Sequence, residues 1–405
     1  SNIAAIVACL IGTTFLYTRE SREYKIVYDE PTIINTSLNL HLHRDPVIRE
    51  PAHSDSVHHP SLVDKRPFFF AFLVSLLYDA LGYNIANGHI VNFLLTFGFL
   101  IAVYRLLSLI KGPQAGFIGI AAFCTLPLMA QNASGLGFEI ANLLLLACTM
   151  IAALSYWKRP SNTQLGFFLF SIILLAHTRY ESALYVLPAG LIILSKWIQL
   201  RKVSLPLPLI LCPLFFMPLA WQNRIVQSQA AEYMQLDSND LSSAFGIGYI
   251  LPNLKDALSY FSGLDQTLAG SLVLGPIGLI SLAVVLGYLI AKPRERILKT
   301  DLFPLVAIGT MTVSLFLMLM TYYWGTLTDS VATRLSLPLW FLMLLSLSVL
   351  LSSLAQRYKH LPTALIALAF VHAFPIMATH SYSNNTIPMK RYEWIEKNHR
   401  PRAVP

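Results

Sequence analysis

Two adjacent carboxylates, Asp29 and Glu30, stand in "IVYDEPTIINTSLNLHLHRDP", just after the first apolar segment of the chain. A third acid, Glu139, opens an apolar run in "QNASGLGFEIANLLLL". Lys65 and Arg66 lie in "SLVDKRPFFFAF", Arg179 in "LLAHTRYESALYVLP" and Arg334 in "TDSVATRLSLPLW". Acids and bases of these types suit one kind of chemistry. A carboxylate takes a proton from an acceptor hydroxyl or amine as general base, while Arg and Lys stabilise the negative charge growing on a departing phosphate. Taken singly, each residue also has a plain explanation. Asp29 and Glu30 could be solvated at a headgroup boundary, and Glu139 could sit in the first turn of a helix for its dipole. Arg179 could pair with Glu181 nearby, and Lys65 and Arg66 could snorkel.

The elements that must position these groups belong to a membrane. Of 405 residues, 55% are hydrophobic and only 12% charged, about half the charge of a soluble domain. The apolar runs are long and continuous, which favours an all-α polytopic membrane protein over a β-barrel. The net charge of +8 is explained by Lys- and Arg-rich cytoplasmic loops and calls for no nucleic-acid partner. Cys9, Cys124, Cys148 and Cys212 all fall inside apolar runs without paired spacing, so neither disulfides nor a zinc site is indicated. The histidines His41, His43, His53, His58 and His59 offer no ligand pair at helical spacing. No cofactor is established by these residues, and a divalent cation is left open.

Apolar runs predict about eleven spans, near 3–17, 88–110, 116–131, 137–156, 164–177, 183–198, 204–222, 271–291, 302–323, 334–354 and 362–379. Segment 68–83 has sixteen residues and carries Asp79. As a helix it reaches about 24 Å, short of the roughly 30 Å hydrocarbon core, so it is expected to lie along the interface. Thirteen basic residues fall in one set of short loops, and two, Arg179 and Arg334, in the alternating set. This asymmetry puts the first set in the cytoplasm. Asp29, Glu30, Glu139, Arg179 and Arg334 then share the outer face, where ionisable groups at helix ends are site candidates. A phosphate leaving group there would be a polyprenyl phosphate, its tail in the bilayer.

The motifs "YDEP", "DKRPFFFAFLVSLLYDALGYN", "RLLSLIKG", "HTRYE" and "TRLSLPLWFLM", in that order over roughly residues 1–355, resemble the GT-C superfamily of membrane glycosyltransferases. More closely they resemble its protein-mannosyltransferase and aminoarabinose-transferase branch, which uses lipid-phosphate sugars. The resemblance implies interfacial helices in the first outer loop, Asp29 as catalytic base and Glu30 as its neighbour. It implies Lys65, Arg66, Arg179 and Arg334 as donor phosphate contacts, with Glu139 in the place of a second-loop acid. Three motifs depart from the family pattern: Lys-Arg-Pro-Phe replaces Lys-Pro-Pro-Leu, Leu335 stands where Tyr is common, and Glu139 where Asp is usual.

These features lead to the following expectations. Residues 1–380 form a transmembrane catalytic domain, with 18–87 as the first periplasmic loop and 223–270 as an outer loop over the cavity. Residues 381–405 begin a periplasmic C-terminal segment, and the chain lacks pieces at both ends. The protein would be a multi-pass protein of a bacterial inner membrane whose site faces the periplasm. It would move a sugar from a polyprenyl-phosphate or pyrophosphate donor to a protein, lipid or glycan acceptor. The alternatives are a transporter or flippase for a lipid-linked substrate, and a non-catalytic membrane-complex subunit.

Overall fold

The computed structural model describes residues 2–19, 29–48, 62–228, 244–263, 269–291 and 301–377. The expected C-terminal segment 381–405 lies outside the described residues, as do 229–243 and 264–268 of the outer loop 223–270. Helices dominate, as the continuous apolar runs predict. In chain order they are α1 (Asn2–Arg19), α2 (Asp29–His43), α3 (Phe69–Leu81), α4 (Ala86–Lys111), α5 (Pro113–Cys124), α6 (Pro127–Ala133), α7 (Glu139–Lys158) and α8 (Asn162–Ala176). There follow α9 (Val186–Leu200), α10 (Leu207–Ser228), α11 (Ile250–Ser262), α12 (Leu274–Ala291), α13 (Phe303–Met320), α14 (Leu337–Leu354) and α15 (Leu361–Met377).

Among the described residues, eight helices are long and apolar enough to cross a membrane, or nine if the bent α5–α6 pair is one span. The span expected at 116–131 is bent into this pair. Pro127 removes an amide donor and turns the preceding residue away from helical geometry, so the chain bends by 76° between the two pieces. The expected spans at 164–177 and 362–379 correspond to the shorter apolar helices α8 and α15, which accounts for the difference from eleven.

The central layer is α4, α5, α7 and α14, with α1 and α12 against it. α4 and α5 form a tight antiparallel pair: Gly112, at φ +101°, reverses the chain and Pro113 starts the next helix. Glycines on α5 let the two backbones approach, since a Cβ on Gly116 or Gly119 would overlap Tyr104 or Leu107. α7 and α14 are the most buried of the spans, and their N-terminal ends carry Glu139 and the turn containing Arg334.

The stretch that follows the first span is mostly helical where it is described. Asp29–His43 is a helix, with both carboxylates in its first turn, where the helix dipole favours them. α3 is only 13 residues long, in line with the expectation that 68–83 does not span. α2 and α3 pack as a pair over a second, smaller core of Ile33, Ile34, Phe70, Val74 and Tyr78, closed by Val91 of α4 and by Leu136 and Phe138. His41 Nδ1 and Arg44 Nη1 each meet an Asp79 oxygen at 2.6 Å, tying the ends of the pair together. A two-rung antiparallel ladder, Val47 opposite Val63 and Ile48 opposite Leu62, returns the chain to α2. It sets residues 64–66 beside Asp29. If this small core holds the pair in place, Tyr78→Ala, which empties a fully buried site, should cost about 3–5 kcal/mol. Limited proteolysis should then cut first between α2 and α4, before the central layer opens.

Candidate active site

Asp29 is buried at 8% exposure, and each of its oxygens receives a guanidinium: Oδ1 that of Arg66 and Oδ2 that of Arg334. Each arginine has a second carboxylate. Arg66 Nη1 donates to Asp64 Oδ1 at 2.9 Å, and Arg334 Nη1 donates to Glu139 Oε1 at 2.8 Å. The result is a chain of alternating charge, Asp64–Arg66–Asp29–Arg334–Glu139, drawn from four separate segments. Burial pushes the Asp29 carboxyl up, but Arg334 and Arg66 outweigh it and hold it below the ordinary range. At Asp64 burial wins over Arg66, and its pKa is raised.

The supports around this chain are as specific as the chain. Glu30, 1% exposed, accepts the backbone N–H of Leu136 at 2.8 Å. Asn92 of α4 donates to the carbonyls of Gly135 and Gly137 at 2.7 and 3.1 Å. Together they pin the turn that presents Glu139. A Cβ at Gly137 would overlap Glu139 Oε2, so a larger residue there would shift that carboxylate. Gln222 of α10 donates to the carbonyls of Asp64 and Arg66 at 2.8 and 2.6 Å and fixes the other end of the chain.

Arg179 occupies a second position beside this centre. Its Nε donates to Glu181 at 2.6 Å, and its guanidinium lies 5.5 Å from the Phe138 ring centroid. Burial opposes its charge, and Glu181 and Glu139 outweigh that, so its pKa is raised. Asn142 of α7 donates to Thr178 and Ser182 at 2.8 and 2.6 Å, which sets the turn carrying Arg179. Lys65 is exposed and takes no part in the chain. Of the seven residues singled out by sequence, the structure joins Asp29, Arg66, Glu139 and Arg334 directly. Glu30 and Arg179 lie alongside, and Lys65 does not join.

Sequence reasoning missed Asp64, Gln222, Asn92 and Asn142. Asp64 had a signal, being two residues from Arg66; the three amides had none, since their roles depend on which backbone they meet. The donor set does not suit a divalent cation. Both Asp29 oxygens face guanidinium groups, and no group of three or more His, Cys, Asp or Glu arranged for a metal occurs among the described residues.

Buried carboxylates clamping arginines at the ends of membrane helices define a class of polytopic membrane protein with a polar centre at one edge of the bundle. Solved structures narrow that class. ArnT from Cupriavidus metallidurans, bound to undecaprenyl phosphate, matches with a TM-score of 0.55 at 14% identity, over 96% of this chain and 68% of that one. The archaeal oligosaccharyltransferase AglB from Archaeoglobus fulgidus, with an inhibitory peptide and a dolichol-phosphate, matches with a TM-score of 0.57 at 13% identity, over 98% and 58%. An Archaeoglobus fulgidus oligosaccharyltransferase in complex with Zn and sulfate matches with a TM-score of 0.57 at 12% identity, over 98% of this chain and 55% of that one. The chain thus spans little more than half the length of the archaeal protein. No protein-family model and no curated sequence matches. The chain shares its fold with ArnT and AglB, in agreement with the fold that the sequence resemblance implies.

Removing Arg334 takes the guanidinium from buried Glu139 and leaves buried Asp29 with Arg66 alone. Arg334→Ala should therefore lower stability by about 3–5 kcal/mol, read as a fall in the thermal midpoint in detergent. Arg334→Lys should recover only part of it, because one ammonium lacks the planar fork that serves two carboxylates.

Proposed function

We propose that this protein is a glycosyltransferase that moves a sugar from a polyprenyl-phosphate or pyrophosphate donor to an acceptor on the outer face of the membrane. The observation that carries the reading is the placing of Asp29 between Arg66 and Arg334, a base within reach of two phosphate-binding groups. The fold shared with ArnT and AglB supports it, since those structures hold undecaprenyl phosphate and dolichol-phosphate. The basic asymmetry of the short loops favours the periplasmic side of a bacterial inner membrane.

In this reading the acceptor oxygen or nitrogen attacks the anomeric carbon as its proton passes to Asp29. The bond from that carbon to the phosphate oxygen breaks, and the electron pair stays on the phosphate. Arg66 and Arg334 stabilise the new charge, with Arg179 behind them. A single displacement of this kind inverts the anomeric configuration. Glu30 and Glu139 act on the geometry: Glu30 holds the turn that presents Glu139, and Glu139 holds Arg334. A flippase is less well supported, because these charges sit at helix starts, whereas transporter sites lie near the bilayer midplane.

Mass spectrometry of lipid co-purified with the protein should find a polyprenyl-phosphate sugar, and that sugar identifies the donor for an assay. With it, Asp29→Asn should reduce turnover by about 10²–10⁴-fold, the usual share of a general base, while the protein stays folded. Undiminished transfer by that variant would remove Asp29 from the mechanism.

A further inference from the structure

The centre described above carries three carboxylates, Asp29, Asp64 and Glu139, around two guanidinium groups, Arg66 and Arg334. Arg179 adds no surplus, since Glu181 balances it. A site in this state does not attract an anion: both cations are already neutralised, and a phosphate entering beside them would meet a net negative charge. It binds well only if a carboxylate gives up its place. The three carboxylates are not equivalent in this respect. Asp64 and Glu139 each hold one arginine and are each 2% exposed. Asp29 alone touches both arginines, and it is the most exposed of the three at 8%. Moving that single side chain frees one donor arm on each guanidinium, and the two arms then face the same space.

The anchors make such an exchange geometrically simple. Arg66 stays held through Nη1 by Asp64, and Arg334 through Nη1 by Glu139. Their Nη2 groups, which now hold Asp29, can pass to a phosphate without either side chain leaving its seat. Resting on the reading of this centre as a phosphate-dependent transferase site, we infer that the donor phosphate replaces the Asp29 carboxylate between Arg66 and Arg334. The displaced carboxylate then becomes free to take the acceptor's proton. Asp64 and Glu139 are positioning residues in this scheme. They fix the arginines through the exchange and never touch the reacting atoms. The consequence is order. Without donor, Asp29 is locked by two cations and is a poor base; with donor, it lies beside an anion and is a better one. Acceptor activation is thereby confined to the donor-bound enzyme.

The test measures binding of a farnesyl methyl phosphodiester, which keeps one negative charge across the pH range used, to the full chain in detergent. If Asp29 competes with phosphate, Asp29→Asn should bind the diester about tenfold more tightly than wild type. Arg66→Gln and Arg334→Gln should each bind it about tenfold more weakly or worse. Equal or weaker binding by Asp29→Asn, with the arginine variants still impaired, would overturn the exchange and leave the phosphate site standing. Binding by neither wild type nor Asp29→Asn would overturn both.

A second measurement uses the wild type, in case Asp29→Asn does not fold. Asp29 faces Arg66 and Asp64 ahead of α3, Arg334 ahead of α14 with Glu139 of α7 behind it, and Glu30 next in the chain. Calorimetry at pH 5 in two buffers of different ionisation enthalpy should show proton uptake on binding, because Asp29 moves from two cations to the side of an anion. That uptake should persist in Asp64→Asn and Glu139→Gln. Release of protons, no uptake, or uptake lost in either variant would overturn the exchange.

Discussion

One carboxylate shared between two guanidinium groups is the constraint around which this structure is arranged. Ions withdrawn from water at the edge of a bilayer are tolerated only when paired and hydrogen-bonded. Asp29 meets that demand with Arg66 and Arg334, and those arginines meet it again with Asp64 and Glu139. The five members come from four places in the chain, so the network forms only when the α2 start, the 64–66 segment, the α7 start and the turn before α14 converge. The ionic contacts do not drive that convergence. Apolar packing supplies the free energy, and the charges select the one arrangement in which none is left unpaired.

The scaffold is built to hold that arrangement still. Glu139 and Arg334 sit at the starts of the two most buried spans. Glu30 and Asn92 fasten the turn at 134–138 from two sides, and Gln222 fastens the 64–66 segment. α2 and α3 have their own small core and dock on α4, so the loop that bears Asp29 is itself a folded unit. A centre held this firmly can exchange one ion partner for another without losing its shape, which suits binding and chemistry at a membrane surface.

Much of this was legible in the residues. Continuous apolar runs and sparse charge marked a helical membrane protein, and the loop asymmetry grouped Asp29, Glu30, Glu139, Arg179 and Arg334 on one face. Four of the seven singled-out residues meet directly because an ionisable group at a helix end is costly unless something pairs with it. Periodicity did not reveal α2, since "DEPTIINTSLNLHLH" is polar and its helix depends on docking against α3. The break at Pro127 was visible as a residue but not as a bend, because prolines also sit inside α10 without ending it.

The sequence by itself determined the class of solvent, the approximate helices and the chemical types at the site, because composition and hydrophobic run length follow directly from residue identity. Tertiary structure alone decided the pairing. It chose Arg66 over its neighbour Lys65, brought in Asp64, and gave Glu30 a backbone amide to hold in place of a substrate. Those outcomes turn on which side chains face inward from segments far apart in the chain, and no local pattern encodes that.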